Sequence, residues 1–196
     1  MIVADEALMH AVRDGDLSRL ETLFDRYHLT LFDFLSRMTG NRHVAEDLVQ
    51  EVFLRILKYR ATYRDDACFR TWVYRIARNA RADYFAGREK GVPLSQEALQ
   101  SPDRGPAPED EIELERESAL LRSALMQLRE DRRELIILAR YQEMKHEAIA
   151  ELLGVDSGTV KVRIHRALKE LREAFLRLVE NPPCDAKISQ RSLLII

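Results

Sequence analysis

Wherever the apolar residues of this chain form a pattern they recur three and four positions apart, and no stretch alternates convincingly at two. A helix needs the first spacing and a strand the second, so the expected fold class is all-α. Asp14-Gly15-Asp16 ends a short helix over about Asp5–Arg13. A long helix comes next, with Leu17, Leu20, Phe24, Tyr27, Leu31, Phe34, Leu35 and Met38 as its inner stripe, and Gly40-Asn41 is its stop signal. A third helix runs from about Val44 to Tyr59, Tyr63–Cys68 reads as a polar loop, and a fourth helix runs from Phe69 to about Phe85. Pro93, Pro102, Pro106, Pro108, Gly91 and Gly105 then break any helix, which makes this stretch a linker. Helical period returns over about Glu109–Leu128, Asp131–Gln142, Lys145–Leu153 and Ser157–Val179. The expected organisation is therefore two small helical domains, 1–88 and 114–180, joined by an acidic linker, 89–113. A tail, 181–196, has no role that its residues indicate.

Charge is uninformative in total, 31 Lys+Arg against 33 Asp+Glu, until it is divided along the chain. Arg70, Arg75, Arg78, Arg81 and Arg88 share their stretch with one acid, Asp83, and Lys161, Arg163, Arg166, Lys169 and Arg172 share theirs with Glu170. Between them, Gly91 to Glu117 holds eight acids and only Arg104 and Arg116. Two basic islands flanking an acidic bridge suit nucleic acid. The longest apolar runs, such as Leu135–Ala139, are far too short for a membrane span, and Met1–His10 lacks the pattern of a secretory signal, so the expectation is a cytoplasmic protein without membrane insertion. Two distant cysteines, Cys68 and Cys184, argue against a disulfide scaffold or metal cluster. No paired carboxylates, His/Cys cluster or Gly-rich phosphate loop stands at workable spacing, so neither catalysis nor a cofactor nor a metal is expected.

The sharpest local signal is Ala150, Gly154 and Val160. A helix-turn-helix needs a small residue where its helices approach, Gly where the turn takes a positive φ, and an apolar residue to seat the second helix. Ile149, Leu152 and Leu153 would bury the first helix, and Val160, Ile164, Ala167 and Leu171 the second, with Asp156 or Ser157 as its cap. That leaves Ser157, Thr159, Lys161, Val162, Arg163, His165 and Arg166 around the outer side of the turns that such a motif places in a major groove. The plainer reading is a solvated basic face.

In the first island, Trp72, Tyr74 and Tyr84 mix with Arg75, Arg78 and Arg81, the three cations succeeding one another along what reads as an outer ridge. Aromatic faces and cations together suit unstacked bases, although aromatics at helical spacing more often belong to a core. Cys68 reads as a small apolar filler. The third helix has a wide apolar stripe, from Val44 to Leu57, and an opposite face of Asp47, Gln50, Glu51, Leu54 and Lys58, where a leucine among polar residues suggests protein docking.

In combination, Asn41 through Phe53, Phe69 through Asn79, Leu128 with Arg132-Arg133-Glu134, Ile149 through Gly154, and Gly158 through Ala167 resemble the extracytoplasmic-function (ECF) branch of bacterial sigma factors, the promoter-specificity subunits of RNA polymerase. The resemblance implies that Asp47, Gln50, Glu51, Phe53 and Leu54 dock on the clamp helices of the polymerase's largest subunit, and that the flap region of the core polymerase is a further contact of the protein. It implies that Tyr63, Phe69, Trp72, Tyr74, Arg75, Arg78, Asn79 and Arg81 capture the melted −10 strand. By the same resemblance Ser157, Thr159, Lys161, Val162, Arg163, His165 and Arg166 face the −35 element. Val162 stands where the family usually has Ser or Thr, which implies a shifted −35 preference. An anti-sigma partner wedged between the two domains is implied as well.

Two other readings stay in play. A stand-alone helix-turn-helix regulator with a helical sensor domain would need neither the docking helix nor the Trp72–Arg81 block. A helical adaptor without a nucleic-acid role would be indifferent to Arg163 and Arg166.

Overall fold

Residues 3–88 and 109–180 are described in this computed structural model, and all their regular structure is helical. The tail, Cys184 and linker residues 89–108 lie outside the described residues. The helices are α1 (Asp5–Arg13), α2 (Arg19–Thr39), α3 (Arg42–Tyr59), α4 (Phe69–Arg88), α5 (Glu109–Gln127), α6 (Glu130–Ile136), α7 (His146–Leu153) and α8 (Ser157–Glu180).

Local chemistry sets most of the boundaries. α2 ends at Gly40 in a left-handed conformation (φ 70°), whose N–H returns to the Ser36 carbonyl at 2.8 Å. Asn41 starts α3 at once, its side-chain oxygen accepting from Val44 N at 3.1 Å. The inner stripe of α2 differs from the expected one at its beginning. Leu17 lies in the turn before the helix and is half exposed, and Phe24 faces outward to stack on His28 with ring centroids 4.8 Å apart. Leu23, one position round, takes the core place and is fully buried.

α6 does not continue as one regular helix to Gln142, as its period implies. It widens into a π-helical turn over Ile137–Tyr141, closed by Gln142 N on the Ile137 carbonyl at 2.9 Å, and Glu143 comes next at φ 49°. The extra residue in the turn rotates the chain beyond it and delivers the Gln142 side chain into the interior.

The two halves share a core. Buried residues of α1–α4, among them Met9, Leu31, Phe34, Leu48, Ile56 and Ala77, form one apolar cluster with Leu135, Ile137, Leu138, Ile149, Leu152, Val160 and Ile164 from the second half. A smaller cluster, Ala124, Leu125, Leu128, Ile136, Ala167, Leu171 and Ala174, is built by α5, α6, the turn between them and α8. α4 packs on α7, and α2 on the π turn, α5 and α6. At roughly 1.5–3 kcal/mol for each large apolar side chain removed from water, the shared part of the core contributes substantially to holding the halves together.

Candidate nucleic-acid interface

The helix-turn-helix forms as its spacing implies. α7 ends at Gly154 (φ 66°), Ala150 is buried beside it, and Val160 is fully buried under the start of α8. Asp156 is the cap: Oδ1 accepts from Thr159 N at 2.8 Å and Oδ2 from the Thr159 hydroxyl. Those two hydrogen bonds, side chain first, hold the Asp156 carboxyl below its ordinary 3.8. Ile164, Ala167 and Leu171 continue inward. Lys161, Val162, Arg163, His165 and Arg166 are all exposed, and Ser157 and Thr159 are half-buried near the cap. Among the described residues no acid pairs with Lys161, Arg163 or Arg166, so these cations stand free over the first turns of α8.

The α4 surface is built differently. Its approach loop is held by α1: Arg13 Nη1 donates to the Tyr63 carbonyl at 3.1 Å and to Asp65 Oδ1 at 2.7 Å, and Glu6 Oε1 accepts from Phe69 N at 3.2 Å. Tyr63 and Phe69 are buried, and Tyr63 lies edge-on to the half-buried Trp72 at 5.1 Å. Burial raises the Tyr63 hydroxyl above its ordinary value, with the charge of Glu6 adding to it. Tyr74 is buried against Phe34 at 5.2 Å, and burial pushes its hydroxyl up to about 12. Neither Tyr63, Phe69 nor Tyr74 offers a free ring face in this arrangement. Cys68 is exposed, so it is not the apolar filler that its residue type suggests.

The expected outer ridge of arginines is also corrected. Arg75 and Asn79 are exposed, but Arg78 is half-buried and Arg81 is buried. Arg78 grips Glu134 of α6 with both ends of its guanidinium, Nε to Oε1 at 2.7 Å and Nη2 to Oε2 at 3.1 Å, and reaches the Leu152 carbonyl at 3.3 Å. Arg81 pairs with Glu130, leaving its buried Nε without an acceptor. That hydrogen bond from Arg81 is the largest cause holding the Glu130 carboxyl below its ordinary 4.5.

Sequence reasoning misses the residue that ties this contact together. Gln142 accepts the Tyr74 hydroxyl at its side-chain oxygen, donates Nε2 to Asp33 Oδ2 at 2.9 Å, and offers its carbonyl to Arg70. Arg133 is equally central. Its Nη1 donates to the Met38 carbonyl at the end of α2 (2.9 Å), and its remaining donors reach the carbonyls of Leu125, Met126 and Leu128 at 2.9–3.1 Å. No helical period could flag Gln142, whose partners lie far away in the chain, nor the reach of Arg133 to the Met38 carbonyl 95 positions earlier. The Arg132-Arg133-Glu134 triplet stands out in the sequence only through its resemblance.

On α3, Asp47, Gln50 and Leu54 form an exposed ridge, Leu54 being 61% exposed. Glu51 is half-buried and receives Arg55 Nε at 2.6 Å. Phe53 is buried, so it supports this ridge from below and is not part of its surface. A shallow cleft of about 370 Å³ separates α3 from α4, lined by Asp47, Glu51, Arg55 and Asp83.

Residues 23–91 match the family model of sigma-70 region 2, and residues 118–171 that of sigma-70 region 4. The chain is 34% identical over 166 residues to the RNA polymerase sigma factor CarQ of Myxococcus xanthus, which covers 84% of this chain and 94% of CarQ. The chain belongs to the ECF family of RNA polymerase sigma factors. The ECF RNA polymerase sigma factor SigW of Bacillus subtilis is 30% identical over 174 residues, 83% of this sigma factor and 91% of SigW. Two solved structures share its fold at 23% identity. CnrH, in complex with the cytosolic domain of CnrY, has a TM-score of 0.66 and covers 92% of this chain and 100% of its own. The sigma factor RpoE of Bartonella quintana, in complex with the anti-sigma factor NepR, has a TM-score of 0.64 and covers 81% and 96%. No helix of the described residues is long and apolar enough to cross a membrane.

Proposed function

We propose that this sigma factor reads the −35 element with Ser157, Thr159, Lys161, Val162, Arg163, His165 and Arg166 on α8, and captures the melted −10 strand with the Tyr63–Arg81 region. The observation that carries the first assignment is the row of exposed, unpaired cations over the first turns of α8, directly after the Gly154 turn. Arginine and lysine in that position can bond guanine edges or phosphates, while the buried Val160 and Ile164 fix the helix beneath them. For the −10 strand, the exposed Arg75 and Asn79 and the half-buried Trp72 supply cation and ring chemistry on α4, with the buried Tyr63 and Phe69 packed against the Trp72 ring and fixing it in place. A flipped base recovers there part of the few kcal/mol lost on unstacking.

The α3 ridge of Asp47, Gln50 and Leu54, supported by Phe53 and Glu51, docks on the clamp helices of the polymerase. Regions 1–88 and 114–180 act as the −10 and −35 modules, working on promoters in the bacterial cytoplasm with no enzymatic activity of their own. An anti-sigma factor restrains the protein. The fold is shared with CnrH and RpoE, whose solved structures hold CnrY and NepR. A partner wedged between the halves would have to separate the shared core that α2, α4, α6 and α7 build.

Run-off transcription with bacterial core polymerase on a randomised promoter library tests the assignment. The protein should direct initiation at sites sharing −35 and −10 elements, and R163A/R166A should abolish selection at −35. A footprint without core polymerase, with no transcript in its presence, would favour the stand-alone regulator.

A further inference from the structure

We infer that the apolar groove between α5 and α8 is the seat of this chain's own tail, through the run Leu193-Leu194-Ile195-Ile196. The inference stands apart from the promoter assignments and survives their failure.

The groove has a volume of about 500 Å³, with Leu121 on its α5 wall and Leu168, Leu171 and Phe175 on its α8 wall. Leu171 belongs to the smaller core cluster, and Leu121, Leu168 and Phe175 pack against that cluster while staying half-buried. An apolar occupant would therefore extend an existing core and take half-wet side chains out of water. The match to sigma-70 region 4 ends at residue 171, yet α8 continues to Glu180 and turns Phe175 and Leu178 toward the same cluster. The outer end of the groove is thus built by residues beyond the matched region.

The tail carries the chemistry that fits. Residues 193–196 are an unbroken run of large aliphatic side chains, whereas residues 181–192 include only Ile188 of that kind. Pro182-Pro183 cannot donate the hydrogen bonds that would prolong α8. Leu168 and Phe175 lie roughly 18 and 8 Å back from Glu180 along the helix axis, at about 1.5 Å per residue. The tether, residues 181–192, reaches up to about 40 Å when extended, so it spans that return with slack. Charge agrees as well. Lys187 and Arg191 outnumber Asp185 in the tether, and Glu117 lines the α5 wall, with Arg172 across from it. The cleft between α3 and α4 suits no such segment, being lined by Asp47, Glu51, Arg55 and Asp83. Seated between α5 and α8, the tail clips the two helices together and leaves Lys161, Arg163 and Arg166 on the first turns of α8 uncovered.

The test compares the full-length protein with L193D/L194D/I195D/I196D, using a fluorescein-labelled peptide of residues 185–196 as the probe. By anisotropy the peptide should bind the variant about tenfold tighter than wild type, where the tethered copy competes for the groove. Phe175→Ser added to the variant should abolish that binding, with circular dichroism confirming unchanged helix content. Hydrogen exchange supplies a readout that needs no groove mutation. Amides of residues 117–121 and 168–175 should exchange about tenfold faster in the tail variant than in wild type, and those of α1–α4 should not change. Equal peptide affinity for the two proteins, or equal exchange, overturns the inference. Peptide binding that survives Phe175→Ser overturns it too, because the tail then sits elsewhere. So does wild-type protection that grows with protein concentration alongside a dimer in sedimentation, since a second copy then fills the groove.

Discussion

On α8, Lys161, Arg163 and Arg166 are exposed and pair with no acid among the described residues, whereas on α4 Arg78 and Arg81 spend their guanidinium groups on Glu134 and Glu130. The two surfaces carry the same residue type at the same helical spacing. What separates them is packing. The α8 cations project from a motif whose apolar side is satisfied by its immediate neighbours, so the outer side stays free. The α4 cations project from a helix flanked on that side by α6 and α7. A basic stripe therefore says which helix can meet nucleic acid, and tertiary contact says in which state it can.

The comparison breaks most readily at α8. R163A/R166A should lower promoter-dependent run-off transcription by roughly a hundredfold, at about 1–3 kcal/mol for each lost base contact, while leaving the unfolding midpoint within about 0.5 kcal/mol of wild type. An unfolding change as large as that of a core variant would show that these cations are structural after all. At the contact between the halves the balance reverses. Arg133→Ala removes the guanidinium donor from the Met38, Met126 and Leu128 carbonyls, the Leu125 carbonyl keeping Leu128 N, and urea denaturation should record a loss of about 2–4 kcal/mol. Tyr74→Phe removes one hydroxyl and leaves the buried Gln142 oxygen short of a donor, for a loss of about 1–2 kcal/mol by the same measurement.

Acid sharpens the contrast further. Arg81 holds the Glu130 carboxyl below its ordinary 4.5 through its hydrogen bond and charge, with Arg133 and Arg78 adding charge and burial opposing them. A depressed carboxyl contributes its share of stability above the ordinary value and loses it as pH falls through the lowered one. Scattering should thus give a constant radius from about pH 8 to 5 and an increase only below about pH 4. The smallest structural effect belongs to Val162→Ser. Val162 is 52% exposed, so stability should shift by less than about 0.5 kcal/mol, while selection from a −35 library changes. An unchanged consensus would remove Val162 from the reading face.

How much of this is legible in the sequence depends on the distance over which each residue finds its partner. Ala150, Gly154, Asp156 and Val160 solve a problem contained within a dozen residues, and the motif they imply is the one that forms. The helices of the described residues are equally readable, since period and punctuation are local, although Leu17 lies outside the core because α2 begins after it, and Phe24 because it faces outward within α2 while Leu23 takes the core place. Arg81 cannot be read correctly. Its surroundings on α4 describe an exposed ridge, and the acid that meets it lies 49 residues later. Gln142 is hidden twice over, by its distance from Tyr74 and by a π turn that shifts the register of α6. The candidate site is thus visible as a set of residue types, and its occupancy by the chain itself is not.

One consequence reaches outside the matched regions. The loop that leads into α4 is moored by Glu6 and Arg13, which precede the region 2 match beginning at residue 23. Trimming the leading helix for easier expression, or replacing it with a purification tag, would therefore slacken the rope at a point fifty residues downstream, and any defect in melting seen with such a shortened protein would report the missing anchor before it reported anything about the bases.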